Sequence, residues 1–297
     1  MFAVFECYNY FMQKLREHLH WWILCALCAG TVLAWYSVFA EDRGGKLTVA
    51  FLDVGQGDAI FIESPTGTQI LIDGGPEKSV LRQLGKVMPF YDRTIDVLMI
   101  TNPDKDHFAG FLDVLNSYKV GAMMEPGTLG AAAEYAALEK LIEEKGAKKL
   151  LARRGQKIQL GGGATLEILF PDRDVSGLNP NEGSIVAKLS YGSTSFLLTG
   201  DTTSAVEEYL SQLDGARLDV DVLKTGHHGS DTSTSDSLLG FASPAFAVIS
   251  AGRDNRYGHP HKEVLDRLAR FEVPVFGTYA LGTVVFVSDG ETVQLRK

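Results

Sequence analysis

The alternation of apolar and polar positions divides the chain into short strand-like runs and helical stretches, preceded by one long uncharged segment. Residues 21–40 (WWILCALCAGTVLAWYSVFA) carry no ionised side chain. Residues 47–54 (LTVAFLDV), 59–63 (AIFIE) and 69–73 (QILID) read as β-rich runs, with Ser64-Pro65-Thr66-Gly67 as the turn between the last two. A helix is expected over 78–88. Residues 95–101 (IDVLMIT) are a continuous apolar run, the pattern of a strand covered on both faces. Helices follow over 107–117 and 131–145, the second rich in Ala, Leu and Glu. After Gly161-Gly162-Gly163 strands are expected over 165–170, 184–190, 194–199, 219–224, 245–250 and 283–288, with helices over 202–213 and 260–270. Two blocks, each of strands and then helices, predict two sheets with helices on their outer faces.

The uncharged segment is long enough to span a bilayer as a helix. Trp21, Trp22, Trp35 and Tyr36 lie near its ends, where aromatic belts form; Lys14 and Arg16 precede it, and Glu41 and Asp42 follow. That bias predicts a single-pass anchor in the cell membrane, with the following domain outside the cytoplasm. Val38-Phe39-Ala40 also resembles a signal-peptide cleavage site, so the alternative is secretion after cleavage. A buried core helix is the remaining reading, and the lack of any polar face argues against it. The chain thus divides into a short N-terminal segment (1–20), an anchor or signal segment (21–40) and a domain (46–297).

Composition is that of a globular chain, with 22% charged and 45% hydrophobic residues. Formal net charge is −9. Up to residue 46, Lys14, Arg16, Arg43 and Lys46 cancel Glu6, Glu17, Glu41 and Asp42, so the excess belongs to the domain. An acidic domain is a poor general trap for nucleic acid, unless bound metal ions offset its carboxylates. Cys7, Cys25 and Cys28 all precede the domain, which therefore has no disulfide of its own and fits either redox compartment.

Four clusters follow strand-like runs, where α/β folds place reactive groups. Thr101-Asn102-Pro103-Asp104-Lys105-Asp106-His107 brings carboxylate and imidazole donors into one tight loop, which can aim them at one or two cations. A solvated turn capping the next helix is the plain alternative, since Asp106 suits an N-cap. Leu197-Leu198-Thr199-Gly200-Asp201 ends an apolar run in a carboxylate, a weak signal by itself. Lys224-Thr225-Gly226-His227-His228-Gly229-Ser230 places adjacent histidines between glycines at a strand end, an unusual pattern for which a satisfied surface pair is the plain alternative. Tyr257-Gly258-His259-Pro260-His261 lies directly before a helix. Of seven histidines, His18 and His20 precede the uncharged segment and the rest all fall in these clusters. Imidazole with carboxylate suits zinc or manganese better than magnesium alone.

The motifs FLDVGQGDAIFIE, LIDGG, NPDKDH, NEGSIVAKLSYGSTSFLLTGD, LKTGHHGS and ISAGRDNRYGHPHKEVLDRL, in this order, resemble the C-terminal metallo-β-lactamase-like domain of the ComEC competence proteins. The resemblance covers nearly all of 47–297. It implies an α/β fold, an αββα sandwich with a metal site at one edge between the sheets. It also implies secretion or membrane tethering, and nuclease action on DNA during uptake. By position it implies that Asp104, Asp106 and His107 are ligands, that Asp201 bridges two ions, and that His227 or His228 is a late ligand. Asp73 would orient the ligand loop, and His259 would contact phosphate or protonate a leaving group. One position departs from the family: its first motif histidine is Asn102 here, a poorer ligand for zinc. The large channel-forming membrane region has no counterpart in the sequence, so DNA passage would need a separate membrane channel protein as partner.

The resulting expectation is a metal-dependent hydrolase, a phosphodiesterase or nuclease acting on DNA at the cell envelope with one or two zinc or manganese ions. Asp106 and Asp201 would hold the ion that activates water, and His259 and Lys224 would neutralise charge on the departing oxygen. The alternatives are hydrolysis of a small envelope phosphodiester, and a degenerate scaffold that binds DNA without cutting it. Lactam or thioester hydrolysis shares the same fold, and fold alone does not separate these.

Overall fold

The computed structural model describes residues 2–41 and 44–296, apart from the side chains of residues 2–9, 11, 15, 34 and 36–41. The chain forms two compact units, Met1–Gly44 and Gly45–Lys297. The first is the helix Phe2–Glu41. Among the described residues no helix is long and apolar enough to cross a membrane. The span expected over 21–40 includes residue 34 and residues 36–40, whose side chains lie outside the described ones.

The second unit is built on two sheets. The first contains β1 (Leu47–Phe51), β2 (Ile60–Glu63), β3 (Gln69–Ile72), β4 (Thr94–Met99), β5 (Lys119–Glu125) and β6 (Lys148–Leu151). The second contains β7 (Lys157–Gly161), β8 (Ala164–Phe170), β9 (Val186–Tyr191), β10 (Thr194–Leu198), β11 (Val222–Lys224), β12 (Phe246–Ile249) and β13 (Val275–Gly277). β14 (Val284–Ser288) and β15 (Val293–Arg296) complete the first, giving the order β15-β14-β1-β2-β3-β4-β5-β6 against β13-β12-β11-β10-β9-β8-β7.

Strand alternation explains how the sheets pack. In β1, Val49 and Phe51 join Leu166, Leu189, Phe196, Val222 and Phe286 in the core shared by both sheets. Ala50 faces the other way, with Leu84, Val114 and Leu138 from the helices Ser79–Val87, Phe111–Ser117 and Ala133–Lys145. On the far side Leu197 and Leu223 meet Leu210, Leu239 and Leu268 from the helices Ser204–Asp214, Asp236–Ala242 and Lys262–Arg270. The layers are therefore helices, sheet, sheet, helices, as expected.

Two details differ from the sequence reading. The blocks are not separate, because β14 returns from the end of the chain to pair antiparallel with β1 (Phe51 opposite Val284). It brings Phe286 into the inter-sheet core, edge-on to Phe51 at 6.3 Å. The helix expected over 107–117 is two helices, Lys105–Phe108 and Phe111–Ser117. They meet at Gly110, where a Cβ would lie 2.0 Å from the Gly74 carbonyl oxygen, so only glycine lets the two loops pass.

Strand direction then positions the chemistry. β3, β4 and β5 are parallel to one another, as are β10, β11, β12 and β13. Asp73, the 102–107 loop, Asp201, the histidine pair and the loop after β12 all follow the carboxyl ends of parallel strands.

Candidate metal centre

Asp73 directly follows β3 with a left-handed backbone (φ 58°) and is buried. Its carboxylate accepts the Thr101 amide at 2.7 Å and the Thr101 hydroxyl at 2.6 Å. Its Oδ2 lies 2.8 Å from His107 Nδ1, which leaves the opposite ring nitrogen to face the site. There His107 Nε2 lies 2.9 Å from Asp201 Oδ2.

The histidine pair is held in a rare conformation. His227 (φ 47°, ψ 49°) and His228 (φ 56°, ψ 22°) are both left-handed, a costly state for non-glycine residues that persists only where the surroundings enforce it. The His227 amide donates to the Gly200 carbonyl at 3.2 Å, and the Ser230 amide donates to the His227 carbonyl at 2.8 Å. Further on, the Glu207 carboxylate accepts the Thr234 and Ser235 amides at 2.7 and 2.6 Å. His228 is thereby buried, with Nδ1 3.0 Å from the Ser250 carbonyl at the end of β12. Its Nε2 lies 3.4 Å from both Asp106 Oδ2 and Asp201 Oδ2.

These donors fit a divalent transition-metal ion. Asp106, His107 and His228 offer ligand atoms within 4.8 Å of one another. His107 Nε2, His228 Nε2 and Asp201 Oδ1 are buried without any hydrogen-bond partner of proper geometry, a state that is costly unless something else binds them. Burial opposes charge on both imidazoles, yet Asp201 and Asp73 raise His107 well above its ordinary range, and Asp201 and Asp58 do the same to His228. Burial likewise pushes the Asp201 carboxyl up, and the two histidines pull it well below the usual carboxylate range. The field of the site therefore favours positive charge.

A cavity of about 150 Å³ opens onto this group, lined by Asp104, Asp106, Asp201, His227, His228 and His259 together with Gln56 and Tyr257. The structure thus brings together most of the residues singled out in the sequence, with His228 rather than His227 beside Asp106 and His107. His227 is partly exposed, with Nε2 3.8 Å from Asp201 Oδ2, and burial lowers its pKa. His259 stacks on Tyr257 at 5.7 Å. Burial, with His228 and His227 beside it, lowers its pKa to about 4, so its ring is neutral at physiological pH. The Asp104 carboxyl is raised by burial and by Asp106 and Asp201, against the pull of His107.

Two expected site residues have other contacts. Asn102 is fully buried; its Nδ2 donates to Asn181 Oδ1 at 2.6 Å and its Oδ1 accepts the Asp104 amide at 3.0 Å. It does not line the cavity. Lys224 is also fully buried and off the cavity, so it cannot neutralise a departing oxygen as expected. Its ammonium pairs with Asp58 and donates to the Gly200 carbonyl at 2.7 Å.

Asp58 is the residue that sequence reasoning missed. It lies in the VGQGD loop between β1 and β2, where Gly57 (φ 128°) crosses the motif loop so closely that a Cβ would lie 2.2 Å from the Asp106 carbonyl oxygen. The closely spaced glycines were the available signal, but an aspartate after them also reads as an ordinary turn residue.

Comparison with known proteins agrees with this geometry. The description of the Metallo-beta-lactamase superfamily matches residues 52–253. The chain belongs to this superfamily. Its fold is in general that of metal-dependent hydrolases. The expected resemblance to competence proteins is borne out: the chain is 30% identical over 255 residues to ComE operon protein 3 of Bacillus subtilis (80% of this chain, 32% of that protein). It is 31% identical over 262 residues to Recombination protein 2 of Haemophilus influenzae (86% and 31%). The chain spans about a third of the length of these curated relatives. Among solved structures, the metallo-beta-lactamase fold protein YhfI of Bacillus subtilis aligns with a TM-score of 0.52 at 13% identity, covering 81% of this chain and 99% of that one, a likeness of fold.

Proposed function

We propose that this superfamily member is a metal-dependent phosphodiesterase acting on DNA at the cell envelope. The carrying observation is the pair of partnerless imidazole nitrogens of His107 and His228 beside Asp106 and Asp201, with His228, Asp106 and Asp201 lining a cavity. Zinc or manganese, as one or two ions, suits that donor set. When bound there, such an ion supplies positive charge to a phosphoryl oxygen and makes water a competent nucleophile near neutral pH.

The chain's own residues would do the rest. Asp73 and Ser250 hold the two rings with Nε2 toward Asp201. His259, neutral at its position on the cavity wall, would donate an N–H to a phosphoryl oxygen or accept a proton from water, and does not serve as a cationic acid. Relatives named as competence and recombination proteins support DNA as the substrate. Residues 21–40 would tether the domain outside the cytoplasm, next to a separate channel protein that passes the strand.

A second reading, a scaffold that binds DNA without cutting it, draws support from Asn102, whose amide is spent on Asn181 and Asp104. Assays on single- and double-stranded DNA and on bis-nitrophenyl phosphate, with zinc or manganese added, separate the two. Metal-dependent cleavage is expected. DNA binding without turnover on any substrate, with or without bound metal, would favour the scaffold, and a chain that neither cleaves nor binds DNA nor cleaves the small ester would remove both readings.

A further inference from the structure

Next to the candidate metal centre lies a buried pair, Asp58 and Lys224, that the chemistry above does not use. Asp58, His107 and Asp201 also offer ligand atoms within 4.8 Å of one another, all buried. This cluster already contains a cation. The Lys224 ammonium pairs with Asp58 and lies 3.9 Å from Asp201 Oδ1, with both Lys224 and Asp58 shielded from solvent. The contact is a buried ion pair, an ammonium and a carboxylate removed from water together.

Two anions therefore compete for one buried ammonium. Asp58 holds it, and Asp201 is the next carboxylate within reach. Asp201 is also the carboxylate that contacts both His107 and His228, so its charge is needed on the cavity side. In an interior that screens charge poorly, an ammonium freed from Asp58 would close the remaining gap to Asp201.

We propose that Asp58 is a positioning residue that keeps Lys224 off Asp201, leaving the Asp201 carboxylate free for the metal ion. Lys224 also donates to the Gly200 carbonyl, which accepts the His227 amide as well and so stays paired when Lys224 is removed. Asp58 thus acts on the ion through Lys224, and it is not itself a ligand. This inference rests on the metal reading of the site and is independent of which ester is cleaved.

The test is a double-mutant cycle on the full chain, read as zinc affinity by titration calorimetry and as the visible absorption of the cobalt-loaded protein. Asp58→Asn keeps the side-chain shape, frees Lys224, and is expected to weaken zinc about ten- to a hundred-fold, the scale for groups that position metal ligands. Adding Lys224→Met removes the competing ammonium. The double variant is expected to recover affinity to within a few-fold of wild type, with the wild-type cobalt spectrum. A purely structural defect would not be repaired by a second deletion. Removing both charges also avoids leaving one buried charge unpaired, so the double variant decides the matter if the single variant does not fold. Wild-type affinity in Asp58→Asn, a double variant as weak as the single one, or a double variant that cannot fold would each overturn the proposal. Absence of zinc and cobalt binding in the wild-type chain would instead remove the metal reading itself.

Discussion

Asp73 Oδ2 and His107 Nδ1 lie 2.8 Å apart, and this contact turns the opposite ring nitrogen, Nε2, toward Asp201. Asp73 receives two further bonds from Thr101, the last residue of the apolar run and just beyond β4. The carboxylate thus ties the end of β3 to the end of β4 and aims the imidazole in one step.

Asp73→Asn is expected to weaken binding of the ion at Asp106, His107 and His228 about ten- to a hundred-fold, because an amide cannot hold the ring as a carboxylate does. Asparagine tolerates the left-handed backbone at this position, so the fold is expected to persist. Calorimetry with zinc reads the first effect and far-ultraviolet circular dichroism the second. Unchanged zinc affinity would show that His107 is aimed by other contacts.

The histidine pair separates by geometry. His228 Nε2 faces Asp106 and Asp201 from a buried position, whereas the His227 ring is partly exposed and its Nδ1 is 3.3 Å from the Thr232 hydroxyl. His228→Ala is expected to abolish binding of the same ion, and His227→Ala to leave its stoichiometry intact with a smaller loss of affinity. Elemental analysis of the two variants purified in parallel checks this. Loss of metal in His227→Ala alone would exchange their roles.

The layers, the strand-end clusters and most cavity residues could be read from the sequence because each signal is local. IDVLMIT is mostly apolar because Leu98 and Met99 at the end of β4 pack on opposite faces of the sheet, and the loop after it carries the candidate ligands. What could not be read depends on contacts between distant segments. β5 (KVGAMME) has weak β propensity because its glycine answers a neighbour: a Cβ on Gly121 would lie 2.7 Å from the Asp96 carbonyl oxygen of β4. Asp58 and Lys224 are 166 positions apart in the chain and meet only because β1 and β11 lie in facing sheets. Lys224 reads in the sequence as a cation that neutralises the departing oxygen, since nothing local to LKTGHHGS announces a buried anion beside it.

Placement of the domain outside the cytoplasm has a direct check. Lys14 and Arg16 precede the uncharged run over 21–40, which favours an N-terminus inside. Protease added to intact cells or spheroplasts is expected to digest the domain. Full protection until lysis would reverse the orientation.

Asn102 offers the sharpest contrast between family position and local structure. Its place in the motif is that of a metal-binding histidine, and on that basis Asn102→His would raise zinc affinity about ten-fold or more. The contacts point to other work. The amide donates to Asn181, accepts from the Asp104 backbone and is fully buried, so it clamps the motif loop to the segment before β9. Asn102→Ala would leave the Asp104 N–H and the Asn181 oxygen unpaired. The expected cost is about 1 kcal/mol in the stability of the metal-free chain, the net worth of an ordinary hydrogen bond, because Asp104 is exposed and Asn181 half-buried so that water can reach the freed groups. Affinity for the ion held by Asp106, His107 and His228 is expected to stay within a few-fold of wild type, because none of those donors contacts Asn102. Denaturant titration of the metal-free chain measures the first effect and calorimetry the second. A stable Asn102→Ala variant that loses one bound ion, together with an Asn102→His variant that gains zinc affinity, would show that residue 102 turns to the metal and that the Asn181 contact is incidental.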